Sequence, residues 1–213
     1  MITIPPIWKG EEAYIIGGGR SLKDNEFDFS LLRGKNTIGC NSAFLLGEEI
    51  CKVCIFGDYV WFLRFREQLK SYKGKIYTGL ASLESENIPW INIVKRYESG
   101  IHTDGLGWNG NTGFNAINLA LLFGAQKIYL LGFDMYLREE GKPNWHDQSF
   151  EKPNPAVYRK FLFYQNIIKR DIDKLFPDVE IHNVSDGSSR LTAFPVLDYK
   201  VFCERLKCSL YSC

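Results

Sequence analysis

His146 stands in Asn144-Trp145-His146-Asp147-Gln148, a polar loop sequence, and an imidazole in such a loop can act as a general base near neutral pH. Asp134 and Tyr136 close the apolar run before them and could bind a metal or a substrate hydroxyl, or Asp134 could simply cap a turn. Gly17-Gly18-Gly19-Arg20-Ser21 could cradle a phosphate, with close backbone N–H groups, one cation and one hydroxyl, or could form a plain tight turn. Asn111-Thr112-Gly113 opens an apolar helix: Asn111 or Thr112 can cap it, and Gly113 lets a ligand approach its positive end. Ser185, Ser188, Ser189 and Arg190 could hold a phosphate or sugar, and an ordinary Ser/Gly turn explains them as well.

These groups need a frame. AYIIGGG, NTIGCN and KVCIFGD read as buried strands, KIYTG and WINIV as further ones, and QKIYLLGFD and VEIHNVS as the last two. Between them YVWFLRFREQLKSY, FNAINLALLFG (closed by Gly124), PAVYRKFLFYQNIIKRDIDKLF and LDYKVFCERLK carry helical spacing. Strands separated by helices predict a single Rossmann-like α/β domain over residues 1–213, with a mostly parallel sheet covered on both faces. Gly17–Ser21, Asn41-Ser42, Asp58-Tyr59 and Asp134–Tyr136 each follow a strand, so all four belong at one edge, where such sheets bind ligands. GLGWNG, with Trp108, has the composition of a mobile loop over a ligand. Trp61, Phe62 and Phe65 have the spacing of a core face rather than a subunit interface, and a homo-oligomer stays open.

Composition narrows the partners. The 213 residues are 45% hydrophobic and 24% charged, ordinary for a globular protein, and a net charge of +1 gives no field to gather nucleic acid. Neither a signal peptide nor an apolar run of transmembrane length stands out, which predicts a cytoplasmic protein. Cys40, Cys51, Cys54, Cys203, Cys208 and Cys213 are expected as free thiols, the Cys51/Cys54 pair lying in a strand with no second pair to complete a metal site. His102 is expected in a loop and His182 in a strand.

In order along the chain, IIGGGRSLK, TIGCNSAF, FGDYVWF, NTGFNAINLALLFGAQKIYLLGFDMY, NWHDQ and NVSDGSSRLTAFP resemble two related families. One is the bacterial CMP-sialic acid-dependent sialyltransferases. The other is the MptE-like 6-hydroxymethylpterin diphosphokinases, with their phage and prophage members. The first resemblance implies a GT-A-like variant fold with a lid between Tyr136 and His146, and metal-free transfer from a nucleotide sugar to a hydroxyl acceptor. It puts Gly17–Ser21 against the nucleotide, Asn41 on the donor, Thr112 and Gly113 on ribose or base, Tyr136 on phosphate and His146 as base. Where that family has Gly-Asn-Gly-Pro-Ser, this chain has Gly-Gly-Gly-Arg-Ser. The second implies ATP, Mg²⁺ held by Asp58 and Asp134, and Arg20 and Arg190 on the phosphates of a diphosphoryl transfer to a pterin-like alcohol. A module that binds nucleotides or serves phage assembly without catalysis is the remaining expectation.

Overall fold

The computed structural model describes residues 2–137, 144–148 and 154–210, and in it apolar runs and amphipathic stretches alternate as strands and helices. The first half comprises β1 (Glu12–Ile16), a short α1 (Ser21–Asp24), β2 (Thr37–Cys40), β3 (Val53–Phe56), α2 (Tyr59–Ser71) and β4 (Lys75–Thr78). Three two-residue strands follow, β5 (Asn92–Ile93), β6 (Arg96–Tyr97) and β7 (Leu106–Gly107). Then come α3 (Thr112–Leu122), β8 (Lys127–Leu131), α4 (Pro155–Leu175), β9 (Glu180–Ser185), β10 (Val196–Asp198) and α5 (Tyr199–Leu210).

Eight strands form one sheet in the order β10-β9-β8-β1-β2-β3-β4-β5, and every neighbouring pair is parallel. A parallel sheet is covered on both faces, so its central strands need apolar side chains on both sides. β1 meets that demand: Ala13 and Ile15 join the core beneath α3 and α4, whereas Tyr14 and Ile16 join the core beneath α5. On α2, Trp61, Phe62, Phe65 and Leu69 are buried against β3 and β4, and Val60 and Leu63 stay exposed, as the helical spacing predicts. Each such large side chain, fully buried, contributes roughly 1.5–3 kcal/mol, and truncating the wholly buried Phe114 of α3 to alanine would cost about 3–5 kcal/mol.

Gly124 closes α3 in the left-handed region at φ +84°, where a side chain is strained. Two expectations need correction. The last helix begins at Tyr199, not Leu197, because Val196–Asp198 pair with Asn183–Ser185 as an edge strand. Asp198 Oδ1 then accepts from the amides of Lys200 and Val201, which starts the helix. GLGWNG is not an untethered loop: Leu106 and Gly107 pair with β6, and the Trp108 amide donates to Tyr97 O at 2.9 Å. No described helix is long and apolar enough to cross a membrane, and the five described cysteines are free thiols.

Candidate functional site

Along the chain the sheet grows outward from β1 through β2, β3 and β4, then returns to β8 on the other side of β1. Connections leaving the adjacent β1 and β8 therefore diverge, which opens a crevice at their carboxyl ends. A cavity of about 420 Å³ lies there, a size that suits a small organic ligand. Gly17, Gly18 and Gly19 after β1, Asn41 after β2, Asp58 after β3 and Asp134–Tyr136 after β8 all line it, together with Asn111, Thr112 and Gly113 of the α3 N-terminus. The strand-end clusters expected at one edge thus converge on one space.

The glycines after β1 are required by contact. Neither Gly17 nor Gly19 has a positive φ, yet a Cβ on Gly17 would lie 2.7 Å from Gly132 O. On Gly19 it would lie 2.5 Å from Gly132 O and 2.6 Å from Asp134 Cγ. The residues after β8 cross this turn closely, and the Gly19 amide donates to Gly132 O at 2.8 Å. The turn's own carbonyls are satisfied by Trp145, whose Nε1–H donates to Gly17 O at 2.8 Å and whose amide donates to Gly18 O at 3.1 Å.

Asp134, only 5% exposed, accepts from both the amide and the hydroxyl of Ser21. Ser21 therefore positions Asp134 and the turn, instead of offering its hydroxyl to the cavity. Arg20 lies outside the cavity lining, its Nε–H donating to Asp24 at 2.9 Å. At the start of α3, Asn111 Oδ1 accepts from the Gly113 and Phe114 amides at 2.7 and 3.3 Å, so Asn111 is the cap and Thr112 is the neighbouring polar group on the wall. Asp58 caps α2 through the Trp61 amide at 2.9 Å. Asn41 (φ 51°) and Met135 (φ 58°) hold left-handed backbone at two strand ends, a strain that concentrates at sites. The Asn41 Oδ1 is buried without a hydrogen-bond partner among the described residues.

Three of the described cations lie around the cavity and outside its described lining. Arg190 covers the Tyr136 ring at 5.1 Å, Arg96 covers Trp108 at 4.8 Å, and the Lys160 side chain packs against Gly110. The serines at the end of β9 and in the turn after it are spent inside the protein. Ser185 Oγ accepts from the Gly187 and Ser189 amides, Ser188 Oγ donates to Asp186, and Ser189 Oγ donates to Phe133 O at 2.6 Å. Of that expected group, Arg190 and Ser189 each touch a cavity residue, Arg190 through the Tyr136 ring and Ser189 through the Phe133 carbonyl.

His146 sits beside the glycine turn and outside the cavity lining, its ring edge-on to Trp145. Burial pushes its pKa down to about 4, against the opposing pull of Asp147, so the imidazole is neutral at neutral pH. Nδ1 accepts from the Gln148 amide at 3.3 Å, which leaves the ring proton on Nε2. Base action at Nε2 would require that proton to move. The lid implied between Tyr136 and His146 falls on residues 138–143, which lie outside the described residues.

Gly132 and Phe133 after β8, and Val157, Tyr158 and Phe161 of α4, are wall residues that escaped the sequence reading. Tyr158 and Phe161 lie one turn apart at the start of α4, a spacing that periodicity cannot tell from a core stripe. Burial, then the Asp134 charge, raises the Tyr158 pKa and keeps the phenol a hydrogen-bond donor. His102 stacks on Tyr97 and His182 on Tyr129, both away from the cavity lining. Cys51 and Cys54 are fully buried, and burial pushes the Cys51 thiol up to about 11. Among the described residues no three His, Cys, Asp or Glu side chains group as a metal site. The sequence matches no family model and no curated protein.

Proposed function

We propose that the protein binds a nucleotide in the cavity between the ends of β1 and β8 and uses it as donor in group transfer to a hydroxyl, a nucleotide-activated sugar being the donor class. The observation that carries this reading is the meeting of the Gly17–Gly19 turn and the α3 N-terminus across one cavity at the sheet's switch point. The Gly17 and Gly19 amides donate to Leu131 O and Gly132 O, so it is the close approach that the side-chain-free turn allows, with the positive end of α3, that suits a phosphate, and Arg96, Lys160 and Arg190 around the wall add positive potential. A departing nucleoside phosphate gathers negative charge, which the hydroxyls of Tyr136, Tyr158 and Thr112 would meet as donors. The neutral His146 is the nearest candidate base for the acceptor hydroxyl, once its ring proton sits on Nδ1.

One observation favours a second reading, the Mg²⁺-dependent diphosphoryl transfer of the MptE-like kind: two carboxylates, Asp58 and Asp134, share the cavity. Asp58 and Asp134, whose oxygens keep lone pairs beyond their bonds to the Trp61 amide and to Ser21, would hold a Mg²⁺ that keeps most of its waters, and the ion would neutralise phosphate charge there. A thermal-shift series with CMP, UDP, GDP and ATP, each with and without Mg²⁺, separates the two. A ligand at ~100 times its dissociation constant stabilises the fold by about 2.7 kcal/mol. A metal-independent shift with a pyrimidine nucleotide is expected, a shift with ATP only in the presence of Mg²⁺ moves the reading to diphosphoryl transfer, and no shift with any of the four overturns both.

A further inference from the structure

Trp108 is an unusual wall. Its ring is half-buried, and three independent features hold it in place. Gly57, directly after β3, packs so closely that a Cβ there would overlap the ring's six-membered half. Arg96 of β6 lays its guanidinium over a face of the ring, 4.8 Å from the centroid. The backbone on either side is fixed by two fully buried amides, Asn109 and Asn118. Asn109 accepts from the Gly100 amide at 2.7 Å and donates to Gly100 O and Gly107 O, while Asn118 of α3 accepts from the amides of His102 and Gly107. Gly57 and Arg96 are not among the cavity residues, whereas Trp108 is. The ring is therefore backed from outside and presented to the space within.

We propose that Trp108 is the stacking platform for the nucleobase of the bound nucleotide, an inference that rests on the nucleotide reading of this cavity. A large ring packed by Gly57 and Arg96, on backbone held by two buried amides, and forming part of the cavity wall is a surface built in advance for a flat partner. The chemistry of the backing selects the partner. A guanidinium on one face draws π density toward itself, which weakens C–H contacts from a pyranose on the opposite face and strengthens stacking with the π-rich ring of a base. Gly57 is then read as the residue whose missing side chain sets the platform, and Arg96 as a positioning residue behind it. Stacking of this kind tolerates any base, so base identity must come from other groups on the wall.

The test is calorimetric titration of wild type, Trp108→Phe and Trp108→Leu with CMP, UDP, GDP and ATP, and with inorganic pyrophosphate as a probe that lacks a base. Trp108→Leu is expected to lose roughly five- to hundredfold in affinity for whichever nucleotide the wild type binds, with Trp108→Phe losing less and pyrophosphate affinity unchanged in both. Nucleotide affinity retained in Trp108→Leu overturns the proposal while leaving the nucleotide reading intact. Equal loss of nucleotide and pyrophosphate also overturns it, and makes the ring purely structural. No nucleotide binding by the wild type overturns both. Because Trp108→Leu could loosen the fold, a second measurement uses fluorescence: nucleotide should quench tryptophan emission in the wild type, and most of that quench should be lost in Trp108→Phe, whose ring preserves most of the packing, any remainder coming from Trp145 on the glycine turn. An undiminished quench there counts against the platform.

Discussion

Both oxygens of the Asp134 carboxylate are taken by Ser21, one by its amide at 2.8 Å and the other by its hydroxyl, across 113 residues of chain. The pair ties the end of β8 to the turn after β1, so it fixes the two sides of the cavity that face each other across the switch point. Removing the hydroxyl in Ser21→Ala should cost on the order of 1–2 kcal/mol, and Asp134→Ala about 2–3 kcal/mol, since it leaves the Ser21 amide buried without its acceptor. In urea unfolding the double variant should lose less than the sum of the two. Strict additivity would mean that the pair is not coupled.

The three glycines after β1 should respond unequally to a methyl group. Gly19→Ala drives Cβ into the carbonyl of Gly132 and the carboxylate of Asp134, backbone and an anchored side chain that cannot withdraw. Gly18→Ala meets the side-chain oxygen of Asn144 at 2.9 Å, the far end of a side chain that can turn away. Gly19→Ala is expected to destabilise by about 2 kcal/mol or more and Gly18→Ala by under about 1 kcal/mol, measured by thermal unfolding. Equal losses would contradict the contact argument.

A carboxylate at the α3 cap separates stability from binding. Asn111→Ala removes the acceptor of two amides and should cost about 1 kcal/mol. Asn111→Asp keeps the cap and adds negative charge at the positive end of the helix, so stability should hold or rise slightly. The same charge lines the cavity and should weaken nucleotide binding several-fold by repelling phosphate. Tighter nucleotide binding in Asn111→Asp would show that the phosphate lies elsewhere.

The parallel sheet was legible because its strands are short apolar runs broken by helices, and the convergence of Gly17–Gly19, Asn41, Asp58 and Asp134 followed from placing each after a strand. What local pattern could not show was who spends whom. Ser21 and Ser189 have the types of phosphate ligands, but their hydroxyls are committed to Asp134 and to Phe133 O, neighbours that only the tertiary fold brings near, and Ser185 is taken by the amides of its own turn. Tyr158 and Phe161 carried no signal of their own because a helical stripe has one spacing whether it faces a core or a cavity. Trp108 read as part of a mobile loop because the amides that fix it belong to Asn109 and to Asn118, the latter a turn and a half into an apolar helix. β10 was hidden by its shortness, three residues that run straight into the capped start of α5.

His146 should leave its mark on stability as pH falls. Its folded-state pKa of about 4 lies below the ordinary value of 6.5, because burial disfavours the charged ring. Between those values the unfolded chain binds the proton and the folded one does not, so the unfolded state gains as pH drops. The contribution of a neutral His146 is therefore complete above about pH 6.5 and is lost progressively as pH falls toward 4. Its size is on the order of 1–2 kcal/mol, allowing for the partial exposure of the ring. Urea midpoints measured from pH 7.5 to 4.5 should fall less steeply in His146→Gln than in the wild type, the two curves converging at the acid end. Parallel curves would mean that the imidazole protonates as readily in the folded protein as in the unfolded chain.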